Sequence, residues 1–383
     1  MRRITVALLA LSTCFASAAW AQKITCPAHV NWTEFHTIDM ARYNPCETAL
    51  GVDNVGSLAL LWSHSAGKQK YFNSSPAVVN GVLYVGSYDG SVYALSAKTG
   101  TELWSYTTGN LVYSSPAVAN GVVYVGSWDG NVYALNAKTG TKLWNYTTGN
   151  FVESSPTVVN GVVYVGSLDH NVYALNASTG SKLWSYATGS NVESSPAVVN
   201  GVVYVGSDDG NVYALNASTG VRQWSYTTGG DVFSPTVANG VVYVGSYDFN
   251  VYALDTSTGT LLWSYSTGNP VVSAPAVANG VAYIGSDDGN VYALNATTGA
   301  LLWSYPTGGS VLFSSPAEAN GVVYISSFGH NLYALDGSTG SKLWSYTFPG
   351  PTTDSDSSPA VANGVVYVGA TGGKVYAFGL RQK

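Results

Sequence analysis

The chain has 383 residues, of which only 9% are charged, with 43 Gly, 28 Tyr and 11 Trp and a formal net charge of −6. Few charges beside many rings and glycines exclude a disordered chain and fit short strands joined by tight turns. The acidic balance excludes the basic footprint of a nucleic-acid binder, and two Met and five His leave little for a metal or haem site.

In chain order the first element is an export signal. Arg2 and Arg3 precede the apolar run Ile4 to Leu11, and Ala19-Trp20-Ala21 supplies a small-x-small cleavage site before Gln22. Residues 1–21 are expected to be removed, leaving a mature charge of −8 and a periplasmic or extracellular protein. The apolar run is too short for a membrane span. An alternative is lipidation at Cys14, although the Thr13 before it is atypical of a lipoprotein signal. The lead-in segment, 22–57, keeps Cys26 and Cys46, an even pair in an exported chain. They are expected to form a disulfide, worth roughly 3 kcal/mol by loop closure.

Residues 58–383 repeat one unit. Its Ser-Pro signpost places Pro at 76, 116, 156, 196, 235, 275, 316 and 359, a period near forty that signals a propeller. In the second unit, strand A is predicted over Val112–Ala119 and strand B over Val122–Ser127. Strand C follows over Asn131–Asn136 and strand D over Lys142–Thr147. The Asn-Gly and Asp-Gly pairs between them are the dipeptides of two-residue hairpins. Eight strand-D tryptophans, from Trp62 to Trp344, match eight Ser-Pro strands, but the first Trp has no unit before it. Leu58 to Ser63 is therefore predicted to complete the last blade, giving an all-β, eight-bladed propeller of four-stranded antiparallel blades with no open edge between first and last. The recurring Trp and Tyr series read as packing layers.

The two ends of the blades differ in their freedom to vary. Asn-Gly closes the A–B turn in all eight units, and Thr-Gly closes the C–D turn in seven. The opposite face, made of B–C turns and D–A connections, changes at almost every unit. Its B–C turns carry Tyr88, Trp128, Leu168, Asp208, Tyr247, Asp287 and Phe328, and His170, Phe249 and His330 stand where a turn Gly is expected. Its D–A connections carry Tyr113, Glu153, Glu193, Phe233 and Phe313, with Asp231 nearby. Aromatic residues in loops on a rigid scaffold point to a recognition surface. The candidate binding face is therefore Tyr88, Trp128, Glu153, Glu193, Asp231, Tyr247 and Phe328. Glu153 and Glu193 hold matched positions on neighbouring blades; they are weak candidates for a hard cation such as Ca²⁺, the alternative being two solvated carboxylates at a tunnel mouth. No nucleophile elbow, phosphate loop or His-Glu-x-x-His motif is present, so no catalytic residue is assigned.

The pattern Ala-x-Asn/Asp-x-x-Thr-Gly-x-x-x-Trp stands as Ala134 to Trp144, Ala174 to Trp184 and Ala214 to Trp224, and in seven copies altogether, one of them with Ser96 at the Asn/Asp position. It resembles the tryptophan-docking motif of pyrroloquinoline quinone (PQQ) repeat propellers, from about Leu58 to Leu380. The stretch Trp32 to Trp62 is similar to the lead-in of such propellers. The motif's usual Asp survives only as Asp255 and Asp336. The resemblance implies two kinds of relative. PQQ-dependent alcohol or sugar dehydrogenases are longer, and they hold PQQ and Ca²⁺ with adjacent cysteines and a catalytic Asp; this chain has no adjacent cysteines and no insertions. Insertion-free exported members, such as the lipoprotein of the outer-membrane β-barrel assembly machine, bind protein partners. The expectation is a monomeric, non-catalytic binding or scaffold propeller for a protein or glycan partner. The alternatives are a quinoprotein dehydrogenase and a carbohydrate-binding propeller.

Overall fold

Each unit folds back where its sequence permits a left-handed backbone. Asn80 and Gly81 have φ of 50° and 79°, and the equivalent pair recurs in every blade, as a two-residue hairpin twisted with its strands requires. The computed structural model describes residues 26, 31–37, 40–65, 71–349, 357–370 and 372–381. The predicted signal, Cys14 and residue 371 lie outside them.

The described residues form eight four-stranded antiparallel sheets. In the second blade the strands are Ala117–Ala119, Val122–Gly126, Asn131–Asn136 and Lys142–Thr147. The innermost strand is thus much shorter than the predicted Val112–Ala119. Pro116 has no N–H to give a ladder, and Val112 N–H donates to Ser87 O of the preceding blade instead. The last blade is closed by Leu58–Ser65, which runs antiparallel to Lys374–Leu380 with Trp62 opposite Ala377. A disulfide joins Cys26 and Cys46.

Hydrogen bonds at three levels tie neighbouring blades together. On the outside, Trp104 Nε1 donates to Ala137 O at 3.0 Å, and all eight strand-D indoles do the same, ending with Trp344 Nε1 to Leu58 O. The Thr-Gly glycine is required there, because a Cβ on Gly140 would lie 2.6 Å from the Trp104 ring. At the variable end, Asp129 Oδ2 accepts from Tyr133 Oη at 2.6 Å and from Gly109 N–H of the preceding connection at 2.7 Å. Around the axis, Ser75 N–H donates to Ser115 Oγ, Ser115 N–H to Ser155 Oγ, and so on to Ser358 N–H and Ser75 Oγ. This ring is broken once, at Ala274, where every other blade has Ser.

The axial hole is closed from the Asn-Gly side by the lead-in, which visits the innermost strands in turn. Trp32 pairs with Val78, Thr33 O accepts from Val118 N–H, and Glu34 Oε2 accepts from Val158 N–H. Met40, Ala41 and Arg42 then offer carbonyls to Val237, Val277 and Glu318, and Asn44 Nδ2 donates to Val361 O. Arg42 is fully buried. It donates to the carbonyls of Phe35, Pro316, Ser315 and Pro359, and its guanidinium carbon lies 4.5 Å from the Phe35 ring centroid.

The serine ring makes a simple test. Ala274→Ser should supply the missing acceptor and stabilise the protein by about 1 kcal/mol, whereas Ser115→Ala should cost about the same by orphaning Ser75 N–H. Equilibrium urea denaturation of both variants checks the two signs.

Candidate functional site

The height of the serine ring decides which side chains meet. Immediately outside it, each D–A connection turns one side chain toward the axis: Asn73, Tyr113, Glu153, Glu193, Phe233, Val272 and Phe313 in blades one to seven. Together with Tyr88 and Trp128 they line a cavity of about 410 Å³ at the variable end of the channel, whose floor is Phe35 of the lead-in. Four of the predicted residues, Tyr88, Trp128, Glu153 and Glu193, thus converge on one cavity. Tyr247 stands beside it, 52% exposed, with its ring 6.4 Å from that of Phe233. Asp231 and Phe328 do not line it. Phe35, the floor, had no signal in the repeat, because it belongs to the unrepeated lead-in.

The walls are not alike. Blades one and two are aromatic: Tyr88 lies between Tyr71 and Tyr113, at 5.5 and 5.9 Å, and its Oη accepts from Asn73 Nδ2. Trp128 stacks flat on Phe151 at 5.2 Å, and its Nε1 finds no acceptor among the described residues. Blades three and four are acidic. Burial, then the charge of Asp208, pushes Glu153 up to about 7. Burial, then Glu153, Asp208 and Asp231, raises Glu193 to about 7. Asp208 is raised to about 6 by burial and Asp231, with Asp209 adding to this and Asn191 and His170 opposing it. Among the described residues no Lys, Arg or His lines the cavity. A larger cavity, about 770 Å³, lies on the other face beside Ala41 and Tyr43. It is lined chiefly by turn residues common to the blades, such as Asn200, Asn239 and Asn279, and so offers little chemistry particular to one blade.

Residues 54–155, 148–234 and 227–383 match the PQQ-repeat family described as outer membrane protein assembly factor BamB. The chain belongs to this PQQ-repeat family. Its sequence is also similar to the quinohemoprotein alcohol dehydrogenase ADH-IIG of Pseudomonas putida, 35% identical over 77 residues. That match takes in 20% of this chain and spans only 11% of the enzyme's length. Among solved structures, BamB from Moraxella catarrhalis superposes with a TM-score of 0.71 at 19% identity, over 85% of this chain and 98% of that one. Quinohemoprotein alcohol dehydrogenase from Comamonas testosteroni gives 0.79 at 17% identity, over 92% and 81%. At these identities the likeness is one of fold.

The acidic arc has a consequence for stability. A native carboxyl that takes its proton at a higher pH than its unfolded counterpart makes the native state bind more protons across roughly pH 4.5 to 7, so raising the pH through that window weakens folding. Buried Glu34 and Glu318, raised by burial to about 8 and about 7, act in the same sense. His36, lowered by burial and by Arg42 to about 3, acts in the opposite one. The contribution of the mouth is therefore read by difference. Between pH 5 and pH 8 the double variant Glu153→Gln/Glu193→Gln should lose less stability than the parent chain, measured by chemical denaturation at each pH.

Proposed function

We propose that this chain is an exported, non-catalytic binding propeller that holds its ligand or partner at the mouth of the axial channel. The observation that carries this reading is the one-ended cavity with its blade-specific lining of rings and carboxyls. A pocket of a few hundred Å³ with apolar walls and a few converging polar groups is the usual form of a small-ligand site. The indole and serine tiers are occupied in bonding blade to blade, whereas the lining of the mouth differs from blade to blade. The expected N-terminal signal would deliver the chain to the periplasm or beyond. The likeness to BamB, an assembly factor by name, fits a binding role, and the aromatic lining suits a protein or a glycan.

The second reading, a quinoprotein dehydrogenase, draws on the similarity to ADH-IIG. The residues at the mouth do not fit its cofactor. PQQ carries three carboxylates, and the cavity would meet them with Glu153 and Glu193 and, among the described residues, with no lining cation. Cys26 and Cys46 are separated by 20 positions and belong to the lead-in on the opposite face. Among the described residues no group of three or more His, Cys, Asp or Glu is placed to hold a metal ion.

Calorimetric titration of the purified protein with PQQ, with and without Ca²⁺, tests the choice. No heat is expected at micromolar to millimolar cofactor; micromolar Ca²⁺-dependent binding would overturn the reading. Retention on immobilised glycans that is lost on Trp128→Ala would assign the mouth to a sugar.

A further inference from the structure

The lining of the mouth is selective in charge as well as shape. Its acidic arc, Glu153 and Glu193, is flanked in blade order by Tyr113 and Trp128 on one side and Phe233 on the other, and Phe35 lies beneath. Ring faces carry negative potential and attract cations, more strongly when the site is desolvated. Partly buried carboxyls crowded by like charges are costly in the empty protein and gain most from a bound positive charge. The two features are independent in sequence, since the rings and the carboxyls come from different blades, and they favour the same sign of ligand.

The lining also decides between kinds of cation. A hard ion such as Ca²⁺ wants six to eight oxygen ligands. Here the serine hydroxyls at the base of the cavity already accept the N–H groups of the neighbouring blade, and much of the remaining wall is ring carbon. A weakly hydrated cation with an apolar shell meets both halves of such a wall. The cavity, at about 410 Å³, has room for more than one ammonium head. We infer that the mouth binds an organic ammonium group, held between the aromatic walls and against Glu153 and Glu193. This rests on the binding reading above and names its ligand class. The ammonium can come from a small free amine or from a lysine of a partner chain.

The test uses the purified protein and four titrants at pH 8: choline, its uncharged isostere 3,3-dimethyl-1-butanol, spermidine and a hexalysine peptide. Calorimetry should show binding of at least one ammonium titrant, with choline roughly tenfold or more tighter than the isostere. Glu153→Gln/Glu193→Gln and, separately, Trp128→Leu should each weaken the bound ammonium titrant by roughly tenfold, with an unchanged circular dichroism spectrum and a closed, cooperative melt. Spermidine or choline as the tightest titrant identifies a free amine as the source, and hexalysine as the tightest identifies a partner's lysine. Equal binding of choline and its isostere overturns the inference while leaving a binding mouth in place. So does Ca²⁺ that binds tightly and blocks choline. Binding by none of the four overturns the inference too, and the PQQ titration then decides separately whether the binding reading also falls.

Discussion

The hydrogen bond from each strand-D indole to a carbonyl of the next blade is the constraint on which the rest of the ring depends. A half-buried indole N–H left without an acceptor costs on the order of 1–3 kcal/mol, so eight of them demand eight acceptors. Seven acceptors come from the turn of the following blade. The eighth, for Trp344, is Leu58 O, and Leu58 is the first residue of the strand that closes the final blade. One short segment therefore supplies both the missing strand and the missing acceptor. The cost of this junction is local. In seven blades a strand-B tyrosine shares the carbonyl used by the indole, as Tyr124 Oη does with Trp144 Nε1 at Ala177 O. At the junction only Trp344 reaches Leu58, and Tyr324 Oη has no partner among the described residues.

The same accounting explains the lead-in. A short innermost strand has one side paired and the other facing the axial hole, where Val118, Val158, Val237 and Val277 present N–H groups. The lead-in answers them one blade at a time with carbonyls and the Glu34 carboxyl. Burying Arg42 in its middle is expensive, and burial lowers it to about 9. Four carbonyls and the Phe35 and Trp32 rings take the place of water around it. The result is a floor. Without it the channel would be open at both ends, and the side chains at the mouth would line a passage rather than a cavity.

How far the sequence reveals this follows from where the information is repeated. Period, blade number, the closing strand and the turns are written eight times over, and each copy corrects the others; the closing strand needs only one residue pair at its end adjusted, to Leu58–Ser65. The innermost strand is over-long in prediction because Val112 to Ser115 has strand composition but spends its N–H groups on neighbouring blades. At the site, departures from the repeat expose Tyr88, Trp128, Glu153 and Glu193. They do not separate residues that face the axis from those, such as Tyr247 and Phe328, that stand on the rim, since both sit in equally variable loops. Phe35 and the path of the lead-in occur once, have no period, and depend on contacts with strands as distant in sequence as Val361.

That division bears on what such a ring can come to do. Asp129, Trp104, Ser115 and their counterparts each hold two blades together, so a change at one of them is felt across an interface. One step outside the serine ring the side chain changes from blade to blade. Asn73, Tyr113, Glu153, Glu193, Phe233, Val272 and Phe313 form a row of blade-specific positions around one axis. Substitution there changes polarity and shape of the mouth in steps of one blade while the scaffold stays fixed. A binding cavity asks only that its walls agree in sign and fit, and on the acidic and aromatic arcs of this mouth they do.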